Sequence, residues 1–169
     1  VTAPLVIWLL GSDSDLPHVQ DGLDQLTELE IPFELRILSA HRTPDAVDEV
    51  ARGARGRGVK VMIGVAGGAA HLPGVIAART TLPVIGVPIP TTLAGGLDSL
   101  LSIVQMPAGI PVATVSAGKA GGKNAALLAA AIIGASDERV ADALAGMRRA
   151  MEAKVLSRDR DKGTRLPDD

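Results

Sequence analysis

The segment Ser39-Ala40-His41-Arg42-Thr43-Pro44 sets a titratable imidazole beside a fixed positive charge. An imidazole gives and takes protons near neutral pH. A guanidinium holds a phosphate through charge-assisted hydrogen bonds. The pair suits proton transfer on an anionic substrate, although an Arg such as Arg42, taken alone, is usually a solvated surface residue. Two more loops carry residues fit for ligand contact. Gly11-Ser12-Asp13-Ser14-Asp15 offers hydroxyls and backbone N–H groups at a helix start, an arrangement for a phosphate or a sugar. Asp15 is an acceptor for ribose hydroxyls. The same residues would also make a plain helix cap, since Ser and Asp are favoured there. In the third loop, Ala66 to Gly74, the pair Gly67-Gly68 lets backbone approach a ligand closely, or simply makes a tight turn. His71 in that loop is either a substrate contact or a structural histidine, and the glycine content favours contact. His18 lies in a helical pattern and reads as a surface residue.

The elements between these loops are legible from hydrophobic runs. Leu5 to Leu10 reads as a buried strand, Asp15 to Glu30 as a helix, and Phe33 to Leu38 as a second strand. A second helix runs from Thr43 to Gly58, where Thr43 can cap and Pro44 suits the first turn. Val59 to Val65, Pro83 to Val87 and Pro111 to Val115 complete the strands, with helical stretches at Ala70 to Arg79 and Asp98 to Gln105. Gly121 to Ile133 is an Ala-rich helix expected to be buried, and Asp137 to Leu156 an amphipathic charged one. Continuous apolar strands alternating with helices imply a parallel sheet covered on both faces. The expected fold is α/β: a three-layer αβα, flavodoxin-like sheet of five parallel strands in the order 2-1-3-4-5, with C-terminal helices. Residues 1–156 form a single domain, and 157–169 a polar, mobile tail. In that order the first three strands are neighbours, so the three loops converge at one end of the sheet.

Composition narrows the function. The chain has 169 residues, 47% of them hydrophobic, with one Trp, one Phe and no Tyr, so its core is aliphatic. A net charge of −2 and the lack of a basic stripe disfavour nucleic-acid binding. Without cysteine there is no thiolate nucleophile and no Cys-based metal site, which fits a reducing cytoplasm. The histidines are scattered, without a metal-ligand spacing, and no dinucleotide fingerprint is present. The first apolar run is too short for a signal peptide. The long uncharged stretches Thr80 to Leu97 and Ser99 to Gly118 carry prolines and do not read as membrane spans.

The four segments Gly11 to Asp15, Ser39 to Pro44, Gly67 to Gly74 and Asp98 to Pro107 together resemble the N5-carboxyaminoimidazole ribonucleotide mutase family of purine biosynthesis. Gly109 to Thr114, Gly118 to Gly121 and Asn124 to Leu128 extend the likeness, which runs from Leu5 to Ala135. The resemblance implies a carboxylate shift from the exocyclic amine of an aminoimidazole ribonucleotide to ring carbon 4. No ATP, metal or organic cofactor takes part. His41 is implied as general acid and base. Substrate binding is implied for Ser12, Ser14, Asp15, Ser39, Ala40 and Arg42, and for Gly67, Gly68, Ala69, Ala70, His71 and Leu72 of the third loop. That loop would enclose the ring and trapped carbon dioxide. A homo-octamer is implied too, and would account for the Ala-rich helix. The segment Pro90 to Gly96 departs most from relatives and reads as a flap or wall. Two alternatives stand beside this reading: direct carboxylation of aminoimidazole ribonucleotide, and a non-catalytic flavodoxin-like nucleotide-binding module.

Overall fold

The computed structural model describes residues 3–163. Five parallel strands form one sheet: β1 (Val6–Leu10), β2 (Phe33–Ile37), β3 (Val61–Gly67), β4 (Val84–Ile89) and β5 (Ala113–Thr114), ordered β2-β1-β3-β4-β5. This is the topology expected from the sequence. Every side chain of β1 and β4 is buried, because helices cover both faces of the sheet. Alternation along β1 divides the core in two. Val6, Trp8 and Leu10 face a cluster with α1 (Leu16–Glu28) and α5 (Gly118–Gly134). Ile7 and Leu9 face α2 (Pro44–Ala54), α3 (Leu72–Ala77) and α4 (Leu97–Val104).

The Ala-rich helix is buried as expected, but within the subunit. Ala125, Ala126, Ala129 and Ala130 are fully buried against β1, β3, β4 and α1. Small residues serve a close crossing here: a Cβ on Gly122 would lie 2.3 Å from the carbonyl oxygen of His18. Intramolecular packing therefore accounts for this composition, and no subunit contact is needed to explain it.

The strand ends differ from the sequence reading: β2 stops at Ile37, β3 spans Val61–Gly67 rather than Val59 to Val65, and β4 and β5 shift as well. β4 runs on through Pro88 to Ile89. It pairs with β5 only at Ile85 and Gly86, so the missing N–H of Pro88 forfeits no bond to that strand. β5 is only two residues long, a short edge of the kind that resists further pairing. The last helix, α6 (Glu138–Lys162), also overruns its expected end at Leu156. No Pro or Gly interrupts 157–162, and Arg160 and Lys162 complement the negative end of the helix dipole. The expected tail thus begins as helix, and 164–169 lie outside the described residues.

Candidate active site

Each of the three loops is locally built before it meets the others. In the first, Ser12 has an extended backbone and its Oγ accepts from the Ser14 N–H at 3.3 Å. Ser14 Oγ lies 2.8 Å from Ser12 Oγ and 3.4 Å from Asp15 Oδ1, so its single proton serves one at a time. Asp15 is only 7% exposed. Burial pushes its carboxyl above the usual carboxylate range, against hydrogen bonds from Ser14 and the Ser12 backbone and the nearby His18.

The second loop closes on itself. The Thr43 hydroxyl donates to the Ser39 carbonyl at 3.0 Å and accepts from the Ser39 N–H at 2.9 Å. Thr43 stands at the N-cap position without capping through its side chain, because that hydroxyl is consumed by Ser39. This corrects the capping role expected for Thr43, while Pro44 does occupy the first turn. Ser39 Oγ accepts from the Arg42 N–H at 3.3 Å. The closed loop carries His41 and Arg42 outward.

Helix α4 holds the third loop. Gly68 has φ +67°, a conformation that side chains disfavour. Its N–H donates to Ser99 Oγ at 2.8 Å, and its carbonyl accepts from Ser102 Oγ at 3.2 Å. Ser99 is fully buried and also donates to the Ile89 carbonyl at 2.7 Å. One serine therefore ties the end of β3 to the end of β4.

The loops surround a cavity of about 490 Å³ at the carboxyl end of the sheet. It is lined by Ser12, Ser14, Asp15, Ser39, Ala40, His41, Arg42, Gly67, Ala69, Ala70, His71 and Leu72. Gly68 is absent from the lining, since its backbone is turned to α4. Gly11, Ala66, Ile89 and Thr91 also line the cavity. Ile89 is an addition to the expected contacts, because β4 outlasts its expected end at Val87, and Thr91 belongs to the segment Pro90 to Gly96 expected as a flap or wall. His18 is not on the open surface: it is half-buried against the start of α5, outside the cavity lining, and its Nδ1 has no hydrogen-bond partner.

His41 Nε2 lies 2.8 Å from His71 Nδ1, with the rings edge-to-face at 78°. One nitrogen must donate and the other accept, so the contact holds one proton between them. The Arg42 guanidinium donates to the Gly11 carbonyl at 3.2 Å, linking the second loop to the first. Among the described residues the ion pairs involve other arginines and leave the Arg42 charge without a carboxylate. A cation, hydroxyls, a buried carboxyl and an imidazole pair thus face one space of ribonucleotide size. Among the described residues no three His, Cys, Asp or Glu side chains are grouped to hold a metal ion.

Fold and site together define a doubly wound α/β protein with a cavity at the carboxyl ends of its strands. The chain belongs to the AIR carboxylase family, whose model matches residues 5–154. It is 56% identical over 153 residues to the N5-carboxyaminoimidazole ribonucleotide mutase of Bacillus subtilis, covering 90% of this chain and 94% of the relative. The mutase of Pyrococcus horikoshii is 53% identical over 152 residues, covering 90% and 85%. The crystal structure of Treponema denticola PurE superposes with a TM-score of 0.87 at 31% identity, covering 95% of this chain and 99% of that one.

Proposed function

We propose that this protein is an N5-carboxyaminoimidazole ribonucleotide mutase, an isomerase of purine biosynthesis. The observation that carries the reading is the His41–His71 pair, at 2.8 Å, facing a cavity whose three loops lie within the stretch matched by mutases. Arg42 and the Ser12-to-Asp15 loop bind the phosphate and ribose, with Ser39 and Ala40 beside them. Gly67, Ala69, Ala70 and Leu72 wall the ring. Gly68 supports that wall through its bonds to Ser99 and Ser102 of α4.

The reaction balances with one acid/base. The bond between the carbamate carbon and the exocyclic nitrogen breaks, and its electron pair returns to nitrogen, which takes a proton from His41. Carbon dioxide stays in the cavity. Ring carbon 4 then forms the new C–C bond to it, and His41 removes the proton from that carbon. The enzyme ends in its starting protonation state, so no co-reactant is needed. Apolar Ala69 and Ala70 offer carbon dioxide no competing nucleophile. His71 orients the imidazole that makes both transfers.

The assembly is a homo-octamer acting in the cytoplasm. The exposed apolar residues Leu97, Leu101 and Val104 on α4 support subunit contact. Among the described residues no helix is long and apolar enough to cross a membrane. The description of the family model favours a second reading, direct carboxylation of aminoimidazole ribonucleotide. One assay separates the two. The purified chain should convert the carbamate ribonucleotide without ATP. Turnover of aminoimidazole ribonucleotide with bicarbonate, and none of the carbamate, would replace the mutase reading with the second.

A further inference from the structure

Thr91 lines the cavity but has no part in the chemistry above. Its Oγ1 donates to Asp98 Oδ1 at 2.7 Å. Asp98 lies in the first turn of α4, and the hydrogen bond from Thr91 holds its carboxyl below the usual range, ahead of the opposing effect of burial. An ionised carboxylate only accepts, so the single hydroxyl proton of Thr91 is committed to it. What remains for the cavity is a lone pair. Thr91 Oγ1 is therefore an acceptor waiting for an N–H or O–H donor.

The surrounding segment fixes that oxygen in place. Ala94, Gly95 and Gly96 run at φ +47°, +66° and +94°. A Cβ on Gly96 would sit 2.8 Å from Pro90 Cα, so only glycine lets the segment fold back on itself. The Gly96 N–H closes the turn on the Leu93 carbonyl at 3.0 Å. Ser99 pins Ile89 on one side of Thr91, and Asp98 pins Thr91 itself.

Strand order indicates which donor this acceptor meets. Arg42 and Asp15 follow β2 and β1, whereas Thr91 follows β4, beyond the glycine loop after β3. With phosphate and ribose at the first end of that row, and His41 reaching from the β2 loop to His71 on the loop after β3, the ring lies between the imidazole pair and Thr91. The hydrogen-bond donor of a 5-aminoimidazole ring is its exocyclic amine. We propose that Thr91 is a specificity-determining residue whose Oγ1 accepts a hydrogen bond from the exocyclic N–H of the substrate, positioning the nitrogen that releases and receives charge. The proposal rests on the mutase reading of the same cavity.

Calorimetry with two ligands tests it: 5-aminoimidazole ribonucleotide, and the same ribonucleotide lacking the amino group. Wild type should prefer the amino ligand by about tenfold, the worth of one neutral hydrogen bond with its partner left unpaired. Thr91→Val should bind both alike, and Thr91→Ser should restore the preference. Thr92→Val, exposed and outside the cavity lining, should leave it unchanged. The kcat/KM of Thr91→Val should fall by a similar factor, with Thr91→Ser close to wild type. Unchanged preference in Thr91→Val overturns the proposal, as does an equal loss of affinity for both ligands, which marks a structural role. Equal binding of both ligands by wild type defeats it even if Thr91→Val does not fold. A wild-type protein that binds neither ribonucleotide defeats the mutase reading first, and this proposal with it.

Discussion

A single imidazole moves the proton in the proposed reaction, so its loss should be felt in kcat. For His41→Asn the expected loss is between about 10² and 10⁴, the usual span for one general acid/base, with the fold retained by circular dichroism. Near-normal turnover would remove His41 from that role. Asp15 makes a separate prediction about stability. Burial lifts its folded carboxyl above the unfolded value, so the folded state holds its proton more tightly. The resulting cost is absent below the unfolded value and complete above the folded one, and stability therefore falls as pH rises through that window. Asp15→Asn should raise the melting temperature at pH 7 relative to wild type. That advantage should shrink as pH drops towards about 4, near the ordinary aspartate value. A variant less stable than wild type at pH 7 would show that the hydrogen bonds from Ser14 and Ser12 outweigh burial.

Elements determine whether those residues meet. Helix α4 contributes no charged group to the cavity lining, yet Ser99 and Ser102 hold the loop that walls it. Ser99→Ala would leave the Gly68 N–H and the Ile89 carbonyl without that partner. A destabilisation of about 1–3 kcal/mol is expected in denaturant titration, together with a raised KM. The α1–α5 crossing is stricter. Gly122→Ala would drive a methyl into the backbone of His18, and a loss of about 2 kcal/mol or more is expected from overpacking. Stability within 0.5 kcal/mol of wild type, roughly the scatter of a neutral surface change, would show that the two helices can part freely. The likeness to mutases through Asp98 to Pro107 thus has a physical content: this stretch is the brace of the third loop.

For the molecule as a whole, helices cover both faces of the sheet within one subunit, and the exposed large apolar residues that remain are Ile37 at the end of β2, Leu93, and groups on α4 and the far part of α6. Leu97, Leu101 and Val104 are each nearly half exposed on α4, and Met151 and Val155 more than half on α6. Light scattering should give the mass of an octamer, and Leu101→Glu should lower it. A monomeric wild type would refute the assembly. The non-catalytic nucleotide-binding alternative, taken with a flavin nucleotide as its ligand, loses ground here. Trp8, the one indole available to stack on a flavin, is fully buried beneath α1 and α5.

Strand order, the convergence of three loops and the candidate acid/base were legible in the sequence. Apolar runs, glycine punctuation and the side-chain types that carry charge or protons are local properties, and local properties survive in one dimension. The chain also showed, through its buried-strand pattern, that helices must cover both faces. Which atoms face which was not legible. The His41–His71 contact spans thirty residues, and the Ser99 tie joins Gly68 to Ile89 across separate strands. The Thr43 hydroxyl turned to Ser39 instead of the helix it begins. Ile89 reached the cavity because β4 continued through Pro88, and α6 continued past Leu156 because no Pro or Gly stopped it. Hydrogen-bond partners and strand ends are settled by competition among groups far apart in the chain. Only the folded arrangement brings those competitors within reach.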